Sequence, residues 1–311
     1  MSSAVLRFAP SPNGYLHLGH VWSACLAFDE AKRLGGRFLL RIEDIDQGRS
    51  KTVFEEAIYE DLRWLGLRWE EPVWRQSEHF DDYERALRQL RDMDVVYPCW
   101  ATRGEIRSAI ESTAGGLRRW PKDADGQPFY PGLYRDISPA QRNGLMWEGG
   151  QFAWRLNMQK ALARLEEKAE SLMFVEGRER RRCISVQAET IGDVVIARKD
   201  FPTSYHLSVT LDDAVQGVSL ITRGHDLLPA TGVHRILQEL LGLPQPDYYH
   251  HELVRDDRGR RLSKKAGDVG IRMLRERGET PESVRCLARA GVGLRGKQPQ
   301  HDDNGDHAKQ G

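Results

Sequence analysis

Apolar and polar positions along the first forty residues predict a strand, a helix and a second strand. Val5-Leu6-Arg7-Phe8-Ala9 alternates as a strand does, and Pro10-Ser11-Pro12-Asn13-Gly14 is turn chemistry that stops it. From Leu18 the apolar residues Val21, Trp22, Cys25, Leu26 and Phe28 recur at helical spacing. Gly35-Gly36 then supplies residues that tolerate the left-handed conformation at a helix end. Arg37-Phe38-Leu39-Leu40-Arg41-Ile42 reads as the second strand, completing a βαβ unit whose ligands gather at the carboxyl ends of its strands. Two further helices follow from Phe54, Ala57, Ile58, Leu62 and Leu65, and from Tyr83, Ala86, Leu87, Leu90 and Met93.

Past Tyr97-Pro98 the pattern weakens. Residues 115–150 are rich in Gly, Pro, charge and isolated aromatics, which predicts an inserted segment of irregular build. Regular structure resumes at Gly192-Asp193-Val194-Val195-Ile196-Ala197, and Leu207–Leu211 and Val218–Thr222 are expected to be strands. Thr280-Pro281-Glu282 opens a last helix, with Val284, Leu287 and Ala288 as its stripe and Gly291 as its end. Residues 294–311 are polar and aperiodic and are expected to form a mobile tail.

The 311 residues suffice for one large α/β body with an insertion, or for two domains of the usual ~150 residues. Mean hydropathy of −0.59 with 40% hydrophobic residues excludes fibrous and largely disordered chains. No apolar run approaches the ~20 residues of a membrane span, and no charged leader precedes the first strand, so a cytoplasmic protein without a membrane partner is expected. Lys and Arg total 46 against 46 for Asp and Glu, so nucleic-acid affinity would have to come from local basic patches. Cys25, Cys99, Cys183 and Cys286 are far apart and suit reduced thiols.

The first strand ends in neither GxGxxG nor GxxxxGK[ST], which removes the ordinary dinucleotide and P-loop readings. In their place stands Pro10-Ser11-Pro12-Asn13-Gly14-Tyr15-Leu16-His17-Leu18-Gly19-His20, with two imidazoles on one face of a helix N-terminus. Such a terminus attracts phosphate, and Gly19 would allow close approach; a His-x-x-His metal pair and two simple helix-cap histidines are the alternatives. After the second strand, Arg41-Ile42-Glu43-Asp44-Ile45-Asp46 places three carboxylates beside the same cleft. They could cap helices or pair with arginines, or one could neutralise a ligand ammonium while Arg7 grips a carboxylate bidentately. Gly259-Arg260-Arg261-Leu262-Ser263-Lys264-Lys265 is either a solvated basic loop or a mobile closure over phosphates as pyrophosphate leaves.

Together these segments resemble class I aminoacyl-tRNA synthetases, His17-Leu18-Gly19-His20 matching the HIGH-type motif and Arg261-Leu262-Ser263-Lys264-Lys265 the KMSKS-type loop. Arg7-Phe8-Ala9-Pro10-Ser11-Pro12, Arg41 to Asp46 and Thr222-Arg223-Gly224-His225-Asp226-Leu227 are similar to the glutamyl branch. The resemblance implies an α/β fold: a Rossmann-type parallel sheet of the HUP nucleotide-binding kind, split by an irregular α/β insertion and followed by a short helical stub. The expected division is 1–98 and 191–270 for the two catalytic halves, 99–190 for the insertion, 271–293 for the stub and 294–311 for the tail. About 45 residues follow Lys265, too few for the anticodon-binding half of the glutamyl enzymes. This layout, and Val209 where the longer enzymes usually have asparagine, resembles the glutamyl-Q tRNA(Asp) synthetases, which attach glutamate to queuosine in the anticodon of tRNA(Asp).

By that resemblance ATP, Mg²⁺, L-glutamate and queuosine-bearing tRNA(Asp) are the reactants, with no obligate protein partner. Arg7, Ser11, Tyr205 and Arg223 would bind the glutamate carboxylates, Ala9 would offer its backbone and Glu43 would take the ammonium. His17, Gly19, His20, Ser263 and Lys264 would hold ATP, with His17, His20 and Lys264 stabilising attack of the α-carboxylate on the α-phosphate. Zinc is expected to be absent. Of a Cys-x-Cys and Tyr-x-x-x-Cys ligand set only Cys99 and Tyr130 are present, Ala101 and Tyr134 standing where thiolates belong, so packing around Trp100, Trp120 and Tyr134 is expected instead. Arg178, Arg180, Arg181 and Arg182 form either a solvated face or a contact with RNA phosphates. The rival functions are charging of a tRNA 3′ end, a nucleotidyltransferase unrelated to tRNA, and a silent RNA-binding paralogue. Replacing Lys264→Ala is expected to lower adenylate formation by orders of magnitude while glutamate binding stays nearly intact, read by pyrophosphate exchange alongside calorimetric titration.

Overall fold

The computed structural model describes residues 3–122, 128–256, 259 and 270–291. The basic loop 260–269, with Ser263 and Lys264, and the expected tail lie outside the described residues.

β1 (Val5–Phe8), α1 (Leu18–Arg33) and β2 (Arg37–Ile42) form the expected unit, with β1 and β2 parallel in the register Val5↔Arg37. α2 (Thr52–Trp64) leads to β3 (Glu70–Arg75), which extends the sheet in the order β1-β2-β3. α3 (Phe80–Asp92) precedes β4 (Val96–Cys99), and three helices follow: α4 (Arg103–Glu111), α5 (Gly116–Arg119) and α6 (Pro139–Trp147). β5 (Ala153–Leu156) pairs antiparallel with β4, and α7 (Met158–Leu165) and the short α8 (Glu167–Glu170) lead into the hairpin β6 (Met173–Glu176) and β7 (Arg182–Ser185). β8 (Val195–Ala197) joins β4 and β5 as a separate three-stranded sheet.

α9 (Tyr205–Val215) occupies the stretch where Leu207–Leu211 was expected to be a strand. The alternation of Leu207, Val209 and Leu211 with hydroxyl residues imitates a period of two, yet Leu207 and Leu211 also stand one helical turn apart. The helix absorbs the hydroxyls: Ser208 Oγ donates to Ser204 O at 3.0 Å and Thr210 Oγ1 to His206 O at 2.7 Å. β9 (Leu220–Gly224), α10 (Ala230–Leu241) and β10 (Asp247–His251) complete a second βαβ unit, β9 and β10 being parallel.

The sheet β7-β6-β10-β9 meets the first where β9 lies against β1. Ser219 N–H donates to Val5 O at 3.0 Å, and Val5 N–H returns a bond of 3.0 Å to Ser219 Oγ. β6 belongs to this central array although it lies within 99–190. The carboxyl ends of β1, β2, β9 and β10 thus converge on one crevice, where ligands of open α/β sheets bind. α11 (Ile271–Glu276) and α12 (Pro281–Ala290) pack back on the body, Ile271, Val284 and Ala288 joining Val21, Cys25 and Leu62 in one apolar cluster. Thr280 caps α12 by accepting from Ser283 N–H, as its Thr-Pro-Glu start predicts. Among the described residues no helix is long and apolar enough to cross a membrane.

Gly35 carries φ +60°, while Gly36 is needed for space: a Cβ there would lie 2.2 Å from Ala4 O, the acceptor of the Arg37 N–H that starts the β1–β2 pairing. Gly36→Ala is expected to cost about 1–3 kcal/mol through this overlap, seen as a lower urea midpoint at an unchanged denaturant slope.

Candidate active site

A cavity of about 410 Å³ opens at the junction of β1 and β9, within the usual range for small-molecule sites. Arg7, Ala9, Ser11, His17, His20, Glu43, Tyr205 and Arg223, eight of the residues singled out from the sequence, all line it. Ser23, Thr222 and Gly224 also contribute to its wall.

The two histidines close the N-terminus of α1 as a reciprocal cap. Gly19 N–H donates to His17 Nδ1 at 3.1 Å, and His17 N–H donates to His20 Nδ1 at 3.1 Å. Each neutral ring therefore carries its proton on Nε2, as a donor. The helix-cap and phosphate readings of this motif are thus compatible. An added Cβ on Gly19 would meet His17 Cε1 at 2.9 Å, so this glycine makes room for the folded-back ring. Gly270, which follows the basic loop, forms an antiparallel bridge with His17, and Ile271 N–H donates to Leu16 O at 3.0 Å. The described chain after that loop therefore resumes beside the histidine cap.

On the opposite wall the charges are buried and paired. Arg7 does hold a carboxylate bidentately, but it belongs to Asp213 on α9: Nε to Oδ1 at 2.8 Å and Nη2 to Oδ2 at 3.1 Å. Arg41, fully buried, gives Nη1 to the same Oδ1 at 2.7 Å and reaches Glu43 with Nη2 at 3.3 Å. Burial pushes the Asp213 carboxyl up, but Arg41 and Arg7 outweigh it and hold the group at about 2. Glu43 is shifted upward by burial, against the attraction of Arg41 and Arg7. Of its neighbours in sequence, Asp44 accepts from Ser77 N–H and Oγ, and Asp46 accepts from Arg49 N–H, so both are spent on loop structure. Sequence reasoning missed Asp213 and the role of Arg41; the Asp212-Asp213 pair was the available signal, hidden by reading its segment as a strand.

Arg223 is only 5% exposed, and among the described residues no carboxylate forms an ion pair with it. Its partners are neutral: Nε donates to His250 Nε2 at 3.0 Å, Nη2 to Thr231 Oγ1 at 2.7 Å, and Nη1 approaches His234 Nδ1 at 3.2 Å and Tyr205 Oη at 3.4 Å. Because Arg223 only donates, His250 must present a bare Nε2 and give its Nδ1 proton to Glu176 Oε2 at 2.7 Å. His234 likewise presents a bare Nδ1, and its Nε2–H lies 3.3 Å from His206 Nδ1. Burial and Arg223 keep these rings uncharged, His206 at about 4 and His234 well below its ordinary value. Burial also lowers His250, against the hydrogen bond it donates to Glu176.

In the insertion, Cys99 Sγ lies 3.0 Å from Tyr130 Oη, while Trp100 packs on Tyr134 and Phe152 at 5.5 and 5.0 Å between centroids. Trp120 is held separately, its Nε1–H donating to Phe129 O at 2.8 Å. Among the described residues no group of three or more His, Cys, Asp or Glu is arranged to hold a metal ion. With alanine and tyrosine at two of the four positions, the residues do not fit a tetrahedral zinc.

The model for class I tRNA synthetases (E and Q), catalytic domain, matches residues 3–305. A glutamyl-Q tRNA(Asp) synthetase of Rhodobacter capsulatus is 45% identical over 91% of this chain and 99% of its own length. A glutamate–tRNA ligase of Aquifex aeolicus is 35% identical over 91% of this chain, which spans only 56% of that protein. Among solved structures, a glutamate tRNA ligase of Elizabethkingia meningosepticum in complex with its amino acid is 28% identical over 86% of this chain and 53% of its own, with a TM-score of 0.67.

Asp213→Asn takes the paired carboxylate from buried Arg7 and leaves Arg41 with Asp212 and Glu43, and it is expected to cost about 3–5 kcal/mol. The sign with pH follows from the depressed carboxyl: its contribution is complete above the ordinary value of 3.8 and is lost as pH falls toward about 2. Urea unfolding at stepped pH should show that acid-side loss in the parent chain and a flatter profile in the variant.

Proposed function

The chain belongs to the class I tRNA synthetases of the glutamyl and glutaminyl type, and we propose that it activates L-glutamate with MgATP and passes the glutamyl group to queuosine in the anticodon of tRNA(Asp). It is a ligase of the glutamyl-tRNA synthetase kind, and the family implies ATP as its co-substrate. The observation that carries the amino-acid assignment is Arg223: a buried cation on the cleft wall, surrounded by neutral partners, lacks only an anionic ligand. Asp213 already compensates Arg7 and Arg41. Glu43, shared with Arg41 at 3.3 Å, and Arg223 then offer one negative and one positive group for the ammonium and a carboxylate of the ligand. Arg7 and Ser11 stand on the same wall for the second carboxylate, with Tyr205 beside Arg223.

In activation, an α-carboxylate oxygen forms a bond to the α-phosphorus of ATP, and the bond to the bridging oxygen of pyrophosphate breaks, its electron pair leaving with pyrophosphate. The attacking oxygen is already ionised, so no protein base is needed. The Nε2–H groups of His17 and His20, at the positive end of α1, serve the charge that builds on the phosphate oxygens. Lys264 is assigned the same task on the leaving pyrophosphate. Queuosine as acceptor is supported by relatives of that name, one of which this chain spans almost from end to end.

The purified chain should exchange labelled pyrophosphate into ATP with glutamate, and not with aspartate or glutamine. It should then transfer glutamate to a queuosine-bearing anticodon stem-loop that has no acceptor end. Charging of an acceptor-stem minihelix instead would overturn the queuosine assignment, and absence of glutamate-dependent exchange with and without tRNA would overturn activation.

A further inference from the structure

One end of the cleft is built by residues that take no part in the glutamate and phosphate assignments. Ser23 stands three residues after His20, on the same face of α1, and both line the cavity. Facing it, His251 ends β10, in register with Gly224 of β9, which lines the cavity as well. Ser23 Oγ and His251 Nε2 lie 2.8 Å apart, so α1 is tied to the strand ends at this point. The direction of that bond follows from the other ring nitrogen. His251 Nδ1 lies 3.0 Å from Glu252 O, and a carbonyl oxygen only accepts, so Nδ1 carries the proton. Burial holds the ring below its ordinary pKa and keeps it uncharged near neutral pH. Nε2 is then bare and accepts the Ser23 hydroxyl hydrogen. Ser23 is half-buried, and its hydroxyl has no second partner among the described residues. It therefore turns lone pairs and no proton toward the cleft: a serine that accepts and does not donate.

We propose that Ser23, oriented by His251, reads the base of the nucleotide by accepting from the exocyclic amine of adenine, and so selects ATP over GTP. The inference rests on the reading that this chain activates glutamate with a nucleoside triphosphate, and it assigns the base specificity of that step. With glutamate on the Arg223 wall and the α-phosphate at the N-terminus of α1, the end of the cavity between α1 and β10 falls to the nucleoside. A ribose hydroxyl donates or accepts as required and gains nothing from a partner of fixed polarity. The purine 6-position is different, because adenine carries an amine there that only donates and guanine a carbonyl that only accepts. Against Ser23 the guanine carbonyl would set lone pair against lone pair with no hydrogen between them, which is discrimination by a mismatch as well as by a bond. His251 is a positioning residue in this scheme, acting on the base only through the serine.

Glutamate-dependent pyrophosphate exchange, run with ATP, GTP and the triphosphate of the 6-unsubstituted purine riboside, tests this. In the parent chain kcat/KM should favour ATP over the unsubstituted analogue about tenfold, the equivalent of one 1.4 kcal/mol interaction, and over GTP by more. In Ser23→Ala the preference over the analogue should shrink to within about twofold, through a higher KM for ATP at little change in kcat. In His251→Phe the ATP-to-GTP ratio should fall about tenfold, because the released hydroxyl hydrogen can then meet the guanine carbonyl. Ser23→Ala removes a single oxygen and carries the test by itself if the buried ring tolerates no replacement. A parental preference for ATP over the analogue in Ser23→Ala, or a parental ATP-to-GTP ratio in a folded His251→Phe, would overturn the proposal while leaving activation intact. A uniform loss of rate with all three nucleotides would overturn it too, by making the pair structural. A parent chain without glutamate-dependent exchange on any nucleotide, with and without tRNA, would overturn the functional reading itself.

Discussion

One buried carboxylate between two guanidinium groups determines most of what the cleft can be. Asp213 joins Arg7 of β1 and Arg41 of β2 to α9, elements separated by up to 206 residues in the chain. Removing three charges from water is expensive, and mutual attraction offsets that only when the geometry is close to ideal. Here it is: Arg7 is held along one edge of its fork, Arg41 adds a bond of 2.7 Å, and Gln216 Oε1 takes a further Arg41 N–H at 3.0 Å. The consequence is positional. With α9 fixed against the strand ends, its first residue, Tyr205, stands beside Arg223, and Arg7 is oriented before any ligand arrives. Asp212, one residue earlier and so about 100° round the helix, lies 3.8 Å from Arg41 Nε and accepts from Gln76 Nε2 at 2.7 Å and Tyr83 Oη at 2.9 Å.

Much of this was legible in the sequence because the signals were local. The Pro-Ser-Pro-Asn-Gly turn, the stripe of Val21, Cys25 and Leu26 and the Gly35-Gly36 stop each act within a few residues, and they specify the first βαβ unit. Motif spacing then brought Arg7, His17, His20, Glu43, Tyr205 and Arg223 to one cleft. What escaped was long-range pairing. Leu207–Leu211 satisfies both a strand and a helix pattern, and the choice between them is made by Asp213 reaching two arginines more than 170 residues away. Nor does local sequence indicate that His234 and His250 would converge on one arginine, with His206 bonded behind His234, since each lies on a different element.

Those histidines give the cleft its electrostatic character. A buried arginine is usually matched by a carboxylate; Arg223 is matched by imidazole nitrogens whose protons are turned away from it. Glu176 contributes only through His250, which accepts from Arg223 on one side and donates to the carboxylate on the other. The cation is thereby held in place by neutral partners without being neutralised. Neutrality of the rings is self-enforcing, because protonating any of them would place a second cation beside Arg223 at low dielectric.

The same economy of partners extends into the insertion. Tyr130, at one of the two positions matching the zinc-type ligand pattern, here bonds Cys99 through its hydroxyl and stacks against Arg155 with its ring. Arg155 is tied in turn to the backbone of Asp193, whose carboxylate holds Tyr97 and Arg135. A chain of hydrogen bonds and one cation–π contact thus ties β4 and β5 to Asp193, just ahead of β8. A metal centre would fix the same strands through bonds that use up the thiolate and the phenol. Packing fixes them instead with the thiol and the phenol bonded to each other, 3.0 Å apart.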